Sequence, residues 1–240
     1  MDSKLNPQKF SLHHLIPIII LFIGLILFFY FHLDKYLSFT SLQKHRNFLH
    51  LWTSQHAILA PLIFILIYII AVAISIPGAV FLTLIGGFLF GIVMGSLYVV
   101  ISATIGSTIL FLAARTAFNS FFALKTKPWL QKMEKGFQQN ALHYLLFLRL
   151  VPLFPFWIVN IVPALLNVRL KTFLIATFFG IIPGTMVYVS VGNGLDTLFQ
   201  SGQTPEVSII FKPAILLPLM GLAILSVIPV FYKKWQGHQS

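Results

Sequence analysis

Arg149 is the side chain best placed to do chemistry. It stands in Tyr144-Leu145-Leu146-Phe147-Leu148-Arg149-Leu150, and uncharged sequence runs on from there to Val168. An arginine at the centre of a membrane-crossing helix costs about 2.5–3.5 kcal/mol on insertion scales, so such a residue faces a cavity, a partner or a head group. Its planar fork binds phosphate in bidentate fashion. A second reading is an arginine that snorkels from a helix end to the interface. Arg115 closes an apolar stretch and reads as an anchor before it reads as a ligand contact, and Asn160 could cap or bridge its own segment. Glycines and prolines at Pro77, Gly78, Gly86, Gly87, Gly91, Pro152 and Pro155 break helices and could turn free N–H groups toward an anion. The same small residues also let helices pack closely.

The elements that hold these residues must lie in a membrane. Of 240 residues 58% are apolar and only 9% are charged, against roughly 25% charged in a soluble chain. The mean hydropathy is +0.92. Such a chain cannot cover a surface facing water, which excludes a soluble enzyme or a nucleic-acid reader. The net charge of +11 instead suits basic loops that orient spans and meet anionic lipid. With no cysteine there is no disulfide framework and no thiolate chemistry.

The spacing predicts an all-α polytopic membrane protein of about five to six transmembrane helices. Leu15 to Leu33 makes a first span, followed by an amphipathic connector, so that 1–56 forms an N-terminal unit. The 58 residues from Ala57 to Ala114 carry no charge, enough for two spans of about 20 residues and a short excess. Ile76-Pro77-Gly78, Gly86-Gly87 and Gly91 divide that stretch into a span over 57–75, a re-entrant hairpin over 76–91 and a span over 92–114. Irregular backbone at membrane depth must be buried in protein or line a wet cavity. The plan then repeats: prolines punctuate 141–166 as a second hairpin, and a span over 172–192 carries Gly180 and Pro183. Pro77 and Pro152 lie 75 residues apart, and Gly106 and Gly180 lie 74 apart, an offset of the kind left by duplicated halves with paired broken helices. This makes 57–194 the core and 195–240 a loop with a final span over 211–232.

Counting Lys and Arg sets an orientation. With both hairpins re-entrant, twelve basic residues between Lys35 and Lys234 share one side, and only Lys4, Lys9 and Lys212 fall opposite. The positive-inside rule then puts the 115–140 connector and the C-terminus in the cytoplasm. In the connector, Phe118, Phe121 and Phe122 recur at helical spacing beside Lys125 and Lys127, which suits a helix lying in the interface. Other chemistries fail on inventory. Asp2, Asp34, Glu134, Asp196 and Glu206 all lie outside the predicted spans, and the eight histidines lie in tails, connectors or near interfaces. No intramembrane serine–histidine pair, metal cluster or nucleotide-cradling loop is visible, so no metal, cofactor or enzymatic activity is expected.

Ile76-Pro77-Gly78 followed by Leu82-Thr83-Leu84-Ile85-Gly86-Gly87-Phe88-Leu89-Phe90-Gly91 resembles the signature of the DedA/VTT-domain superfamily, also called SNARE-associated Golgi proteins. So does Phe147-Leu148-Arg149-Leu150-Val151-Pro152-Leu153-Phe154-Pro155-Phe156, followed by Asn160 and by Gly180-Ile181-Ile182-Pro183-Gly184. The likeness covers about 70–194 and looks closest to the branch of the yeast late-Golgi vesicle protein and its bacterial relatives. It implies inverted re-entrant hairpins meeting in the membrane. It also implies lipid translocation, either phospholipid scrambling or transport of polyprenyl-phosphate or phosphatidylethanolamine. Arg149 matches the first of two arginines in the DedA motif. Phe154-Pro155-Phe156 replaces the second, and Ala79 stands where an acidic residue follows the first Pro-Gly.

The leading expectation is therefore a lipid translocase or scramblase with Arg149 on the head-group phosphate. An ion-coupled transporter of a small solute and a non-catalytic scaffold are the alternatives. Expected partners are membrane lipids with anionic head groups and a second copy of the chain, with no nucleic acid. A bacterial plasma membrane is expected before the Golgi, since the tails carry no evident sorting signal.

Overall fold

Where every neighbour is hydrocarbon, a segment must satisfy its own backbone polar groups, and every element among the described residues is a helix. The computed structural model describes residues 15–122, 137–138, 140–150 and 154–200, with Leu217, Met220, Gly221 and Ile224. Pro152, residues 123–136 and 139 of the connector, and all but those last four of the 211–232 span lie outside the described residues. Two helical stretches, Ala79–Ala117 and Leu170–Phe199, are long and apolar enough to cross a membrane.

Helix α1 (Ile16–Tyr30) ends three residues short of the expected Leu33, where His32 turns the chain with a φ of 52°. Helix α2 (Phe39–Gln55) starts at Ser38, whose Oγ accepts from the Ser41 N–H at 3.2 Å. Leu42 of α2 is buried, while Lys44, Phe48 and Leu51 face outward. The helix meets α3 (Leu59–Ala73) at a bend of 117°. That is the posture of an interfacial helix leading into the membrane.

The first hairpin differs from its expected bounds. Helix α3 has only 15 residues, about 22 Å of rise against a core of about 30 Å. It ends in a left-handed Ser75, then Pro77 and Gly78. Helix α4 (Ala79–Phe122) returns at once along α3, so that the Tyr68 and Thr83 hydroxyls pair at 2.9 Å. Thus α3 is the ingoing arm rather than a full span, and 79–90 is the outgoing arm. At Gly91 (φ 73°, ψ −175°) the chain reverses again. A Cβ on Gly95 would lie 2.6 Å from the Gly86 carbonyl oxygen; along one straight helix those residues would be about 13.5 Å apart. The second arm, 92–122, is the crossing element. Gly86 and Gly87, expected as breaks, stay helical and act as contact points.

The second unit repeats this order. Helix α5 (Ala141–Leu150) enters, α6 (Phe156–Leu165) returns, and α7 (Leu170–Asn193) crosses, followed by the short α8 (Leu195–Gln200). Ten residues rise about 15 Å, half a bilayer core, so neither α5 nor α6 spans it. The crossing elements of the two units are antiparallel: Phe111 stacks on Phe173 toward one end, and Val99 shares a core with Val189 toward the other. The units are therefore inverted copies. Their internal register also agrees. Gly106 seats on Ile69 and Val72 of α3, and Gly180 on Leu146 and Arg149 of α5. The offset of 74 thus carries Val72 onto Leu146 and Ser75 onto Arg149.

Helix approach depends on missing side chains, as expected where packing rather than water drives association. A Cβ on Gly87 would stand 2.0 Å from the Val189 carbonyl oxygen, and one on Gly192 would stand 2.1 Å from that of Leu84. Four hydroxyls of the crossing arm of α4 are already occupied, while Ser96 Oγ is buried without a partner. Ser102, Thr104 and Thr108 donate to carbonyls four residues back at 2.6–2.7 Å, and Ser107 does the same to Ala103. These four donors are spent on their own helix.

Candidate head-group site

Both hairpin tips reach one cavity of about 430 Å³. Ser75, Pro77 and Gly78 of the first tip and Pro155 and Phe156 of the second line it, with Arg149 between them. Among the described residues, none that lines it is acidic.

The first tip is built by a helix ending. The Ser75 N–H donates to the Val72 carbonyl at 3.1 Å and the Ile76 N–H to that of Ala71 at 2.9 Å. This is a Schellman closure, whose left-handed position usually belongs to glycine. The end of α6 closes in the same way, with Asn167 in the left-handed position, a residue that tolerates it. Serine does not, and its φ of 58° is strained. Its Oγ is buried and has no hydrogen-bond partner.

Arg149 lies near the end of α5 and is fixed from two neighbouring elements, α6 and α7. Its Nη2 donates to Asn160 Oδ1 of α6 at 2.7 Å and to Thr177 Oγ1 of α7 at 2.8 Å. The guanidinium carbon lies 5.2 Å from the Phe173 ring centroid and 5.7 Å from that of Phe156, within range of cation–π attraction. Gly180 makes room for its stem: a Cβ there would meet Arg149 Cβ at 2.8 Å. Asn160 is fully buried. Its Nδ2, like Arg149 Nε, is buried without a partner.

The arrangement is electrostatically unfinished. Both acceptors are neutral, so they orient the guanidinium without cancelling its charge. A desolvated cation without a counter-charge costs several kcal/mol; its own Nε and the adjoining Asn160 Nδ2 are unfilled donors, and so is Ser75 Oγ on the wall of the same cavity. An anion with several oxygens would complete the set.

The expected site residues separate clearly. Arg149 and Asn160 are in contact, Pro77, Gly78 and Pro155 shape the tips, and Gly180 seats the arginine. Gly184 also lines the cavity, and Pro183 lies inside α7 beside it. Arg115 does not join them; it sits twelve residues beyond Ala103, where the crossing arm of α4 lines the cavity, or about 18 Å further along. Gly86, Gly87 and Gly91 belong to packing and reversal. Thr177 and Ser75 were not anticipated. Thr177 precedes Gly180 by three residues and so shares its face, and Ser75 is the repeat mate of Arg149; both signals stand in the sequence.

Comparison with known proteins agrees with this architecture. Residues 76–194 match the VTT domain. Transmembrane protein 41B of Mus musculus is 30% identical over 171 residues, 70% of this chain and 56% of that protein. The transmembrane protein 41 homolog of Dictyostelium discoideum is 33% identical over 201 residues, 82% of this chain and 58% of that protein. The chain thus spans a little over half the length of these curated relatives. No solved structure matches it. The matched region runs from the first hairpin tip to the end of α7, and so takes in both tips and the arginine between them. The chain is a polytopic membrane protein of the VTT-domain (DedA/SNARE-associated Golgi) superfamily.

Proposed function

We propose that this chain is a lipid translocase of the scramblase type, in which the phosphate of a head group passes through the cavity between the hairpin tips and contacts Arg149. The observation that carries the reading is a guanidinium held at the meeting point of two tips by acceptors that, among the described residues, are all neutral, with Nε left open. A phosphate crossing bare hydrocarbon loses its water; here it would exchange water for a guanidinium and the Ser75 hydroxyl on the cavity wall. Among the described residues no carboxylate lines the cavity, which supports passive, bidirectional movement over proton-coupled transport. The reading is the same for a plasma membrane or a Golgi membrane.

The test is reconstitution of the purified chain into liposomes carrying a trace of fluorescent phospholipid, with a membrane-impermeant quencher outside. Inner-leaflet label should become accessible without any ion gradient. Movement only under a gradient would favour an ion-coupled transporter, and no movement at all would favour a scaffold.

A further inference from the structure

The cavity does not end at the hairpin tips. A second space of about 350 Å³ adjoins it, and Ser75 and Trp157 line both. Apart from Ser75 and the Trp157 N–H, the described residues that line the second space are apolar. Leu21, Phe22 and Leu25 of α1 form one wall, Ala73 and Ile74 at the end of α3 form the floor, and Trp157 and Ile161 of α6 close the far side. Helix α1 approaches the floor closely at Gly24, where a Cβ would meet Ile74 Cγ2 at 3.0 Å. Phe22 and Trp157 are 63% and 51% exposed, so the groove opens sideways onto the region where lipid lies.

We infer that this groove between α1, α3 and α6 is a hydrocarbon-chain subsite, holding the acyl or prenyl tail of the lipid whose phosphate enters the Arg149 cavity. The inference rests on the head-group reading above. The two spaces match an amphiphile in order: donors and positive charge in one, carbon in the other, with a single serine and a tryptophan at the seam. Trp157 suits that seam, because its ring is apolar while its N–H is polar. The floor is the segment that ends in strained Ser75, so a chain in the groove and a phosphate in the cavity press on the same hairpin tip. A ligand in both spaces is fixed at two points, which gives selection by chain length as well as by head group.

The test fills the groove without touching the cavity. Leu21→Trp and Ile161→Trp are reconstituted in the full chain beside Leu62→Trp, which adds the same bulk at a position that is 57% exposed and lines neither space. Two fluorescent phosphatidic acids are compared, one with long and one with short chains. The groove variants should move the long-chain probe about tenfold more slowly, and the short-chain probe within twofold of wild type, while Leu62→Trp moves both normally. Retained short-chain movement shows that the variants are folded. Wild-type movement of the long-chain probe in both groove variants would overturn the subsite, as would equal loss for both probes or equal loss in Leu62→Trp. Arg149→Ala in the same series separates the two readings: if it moves both probes normally the head-group reading fails, and if it is inactive while the groove variants are normal only the tail subsite fails.

Discussion

Gly180 and Gly184 lie one turn apart on α7 and offer a matched pair of substitutions with opposite expectations. Carbon atoms pack comfortably at about 3.5–4.0 Å, whereas a Cβ on Gly180 would meet Arg149 Cβ at 2.8 Å and Cγ at 3.2 Å. The stem of Arg149 would have to retreat by about 0.7 Å or more to restore ordinary contact. Its Nη2 bonds are now 2.7 and 2.8 Å. A guanidinium that followed the stem would stretch them to about 3.4–3.5 Å, past the usual limit of about 3.2 Å. Hydrogen bonds to a charged group are worth about 1.5–3 kcal/mol each, so losing even one unseats the fork. Gly180→Ala gains about 1 kcal/mol of helix propensity against about 1–3 kcal/mol of overpacking, leaving stability reduced by up to about 2 kcal/mol. Gly184 also lines the cavity but has nothing within 4 Å of a built Cβ. We therefore expect Gly180→Ala to slow lipid movement at least tenfold in liposomes, with a modest fall in Tm in detergent, and Gly184→Ala to stay within twofold. Wild-type transport and an unchanged Tm in Gly180→Ala would refute the seating of Arg149 on this glycine.

Three further substitutions probe other parts of the account. Asn160→Asp places a carboxylate on Arg149 Nη2 and supplies the missing counter-charge; lipid movement should fall about tenfold or more while the protein stays at least as stable in a thermal melt. Ser75→Gly relieves a left-handed serine, worth about 1 kcal/mol, and removes one of the open donors, so Tm should rise by a few degrees while lipid movement slows severalfold. Gly87→Ala forces a methyl group to 2.0 Å from the Val189 carbonyl oxygen; backbone cannot yield as a side chain can, and a loss of about 3 kcal/mol or more should appear as poor recovery of monodisperse protein in size-exclusion chromatography.

The inverted units were legible because their punctuation is chemical. Proline and glycine at Pro77, Gly78 and Pro155 mark the tips wherever they occur, and the offset of 74 survives into the packing of Gly106 and Gly180. What composition could not divide was the 58 uncharged residues from Ala57 to Ala114. Apolar arms and apolar spans have the same residues, so only the length of α3 and the reversal at Gly91 separate an ingoing arm from a full crossing. Gly86 and Gly87 were read as breaks because sequence cannot tell a glycine that frees the backbone from one that admits a neighbouring helix. Arg149 stood out by the cost of its charge. Its acceptor Thr177 did not, since a threonine in a span usually bonds its own helix, as Thr104 and Thr108 do.

The central claim is that the charge of Arg149 meets the phosphate of a moving lipid. Its most direct test compares wild type, Arg149→Lys, Arg149→Ala and Arg115→Ala in liposomes at matched protein levels, with lipid movement followed by quenching in the absence of a gradient. A lysine keeps the point charge and loses the fork, so Arg149→Lys should retain part of the activity, and Arg149→Ala should lose at least nine-tenths of it. Arg115→Ala, about 18 Å along its helix from the cavity, should move lipid normally. Equal, wild-type movement in Arg149→Ala and Arg115→Ala would contradict the account.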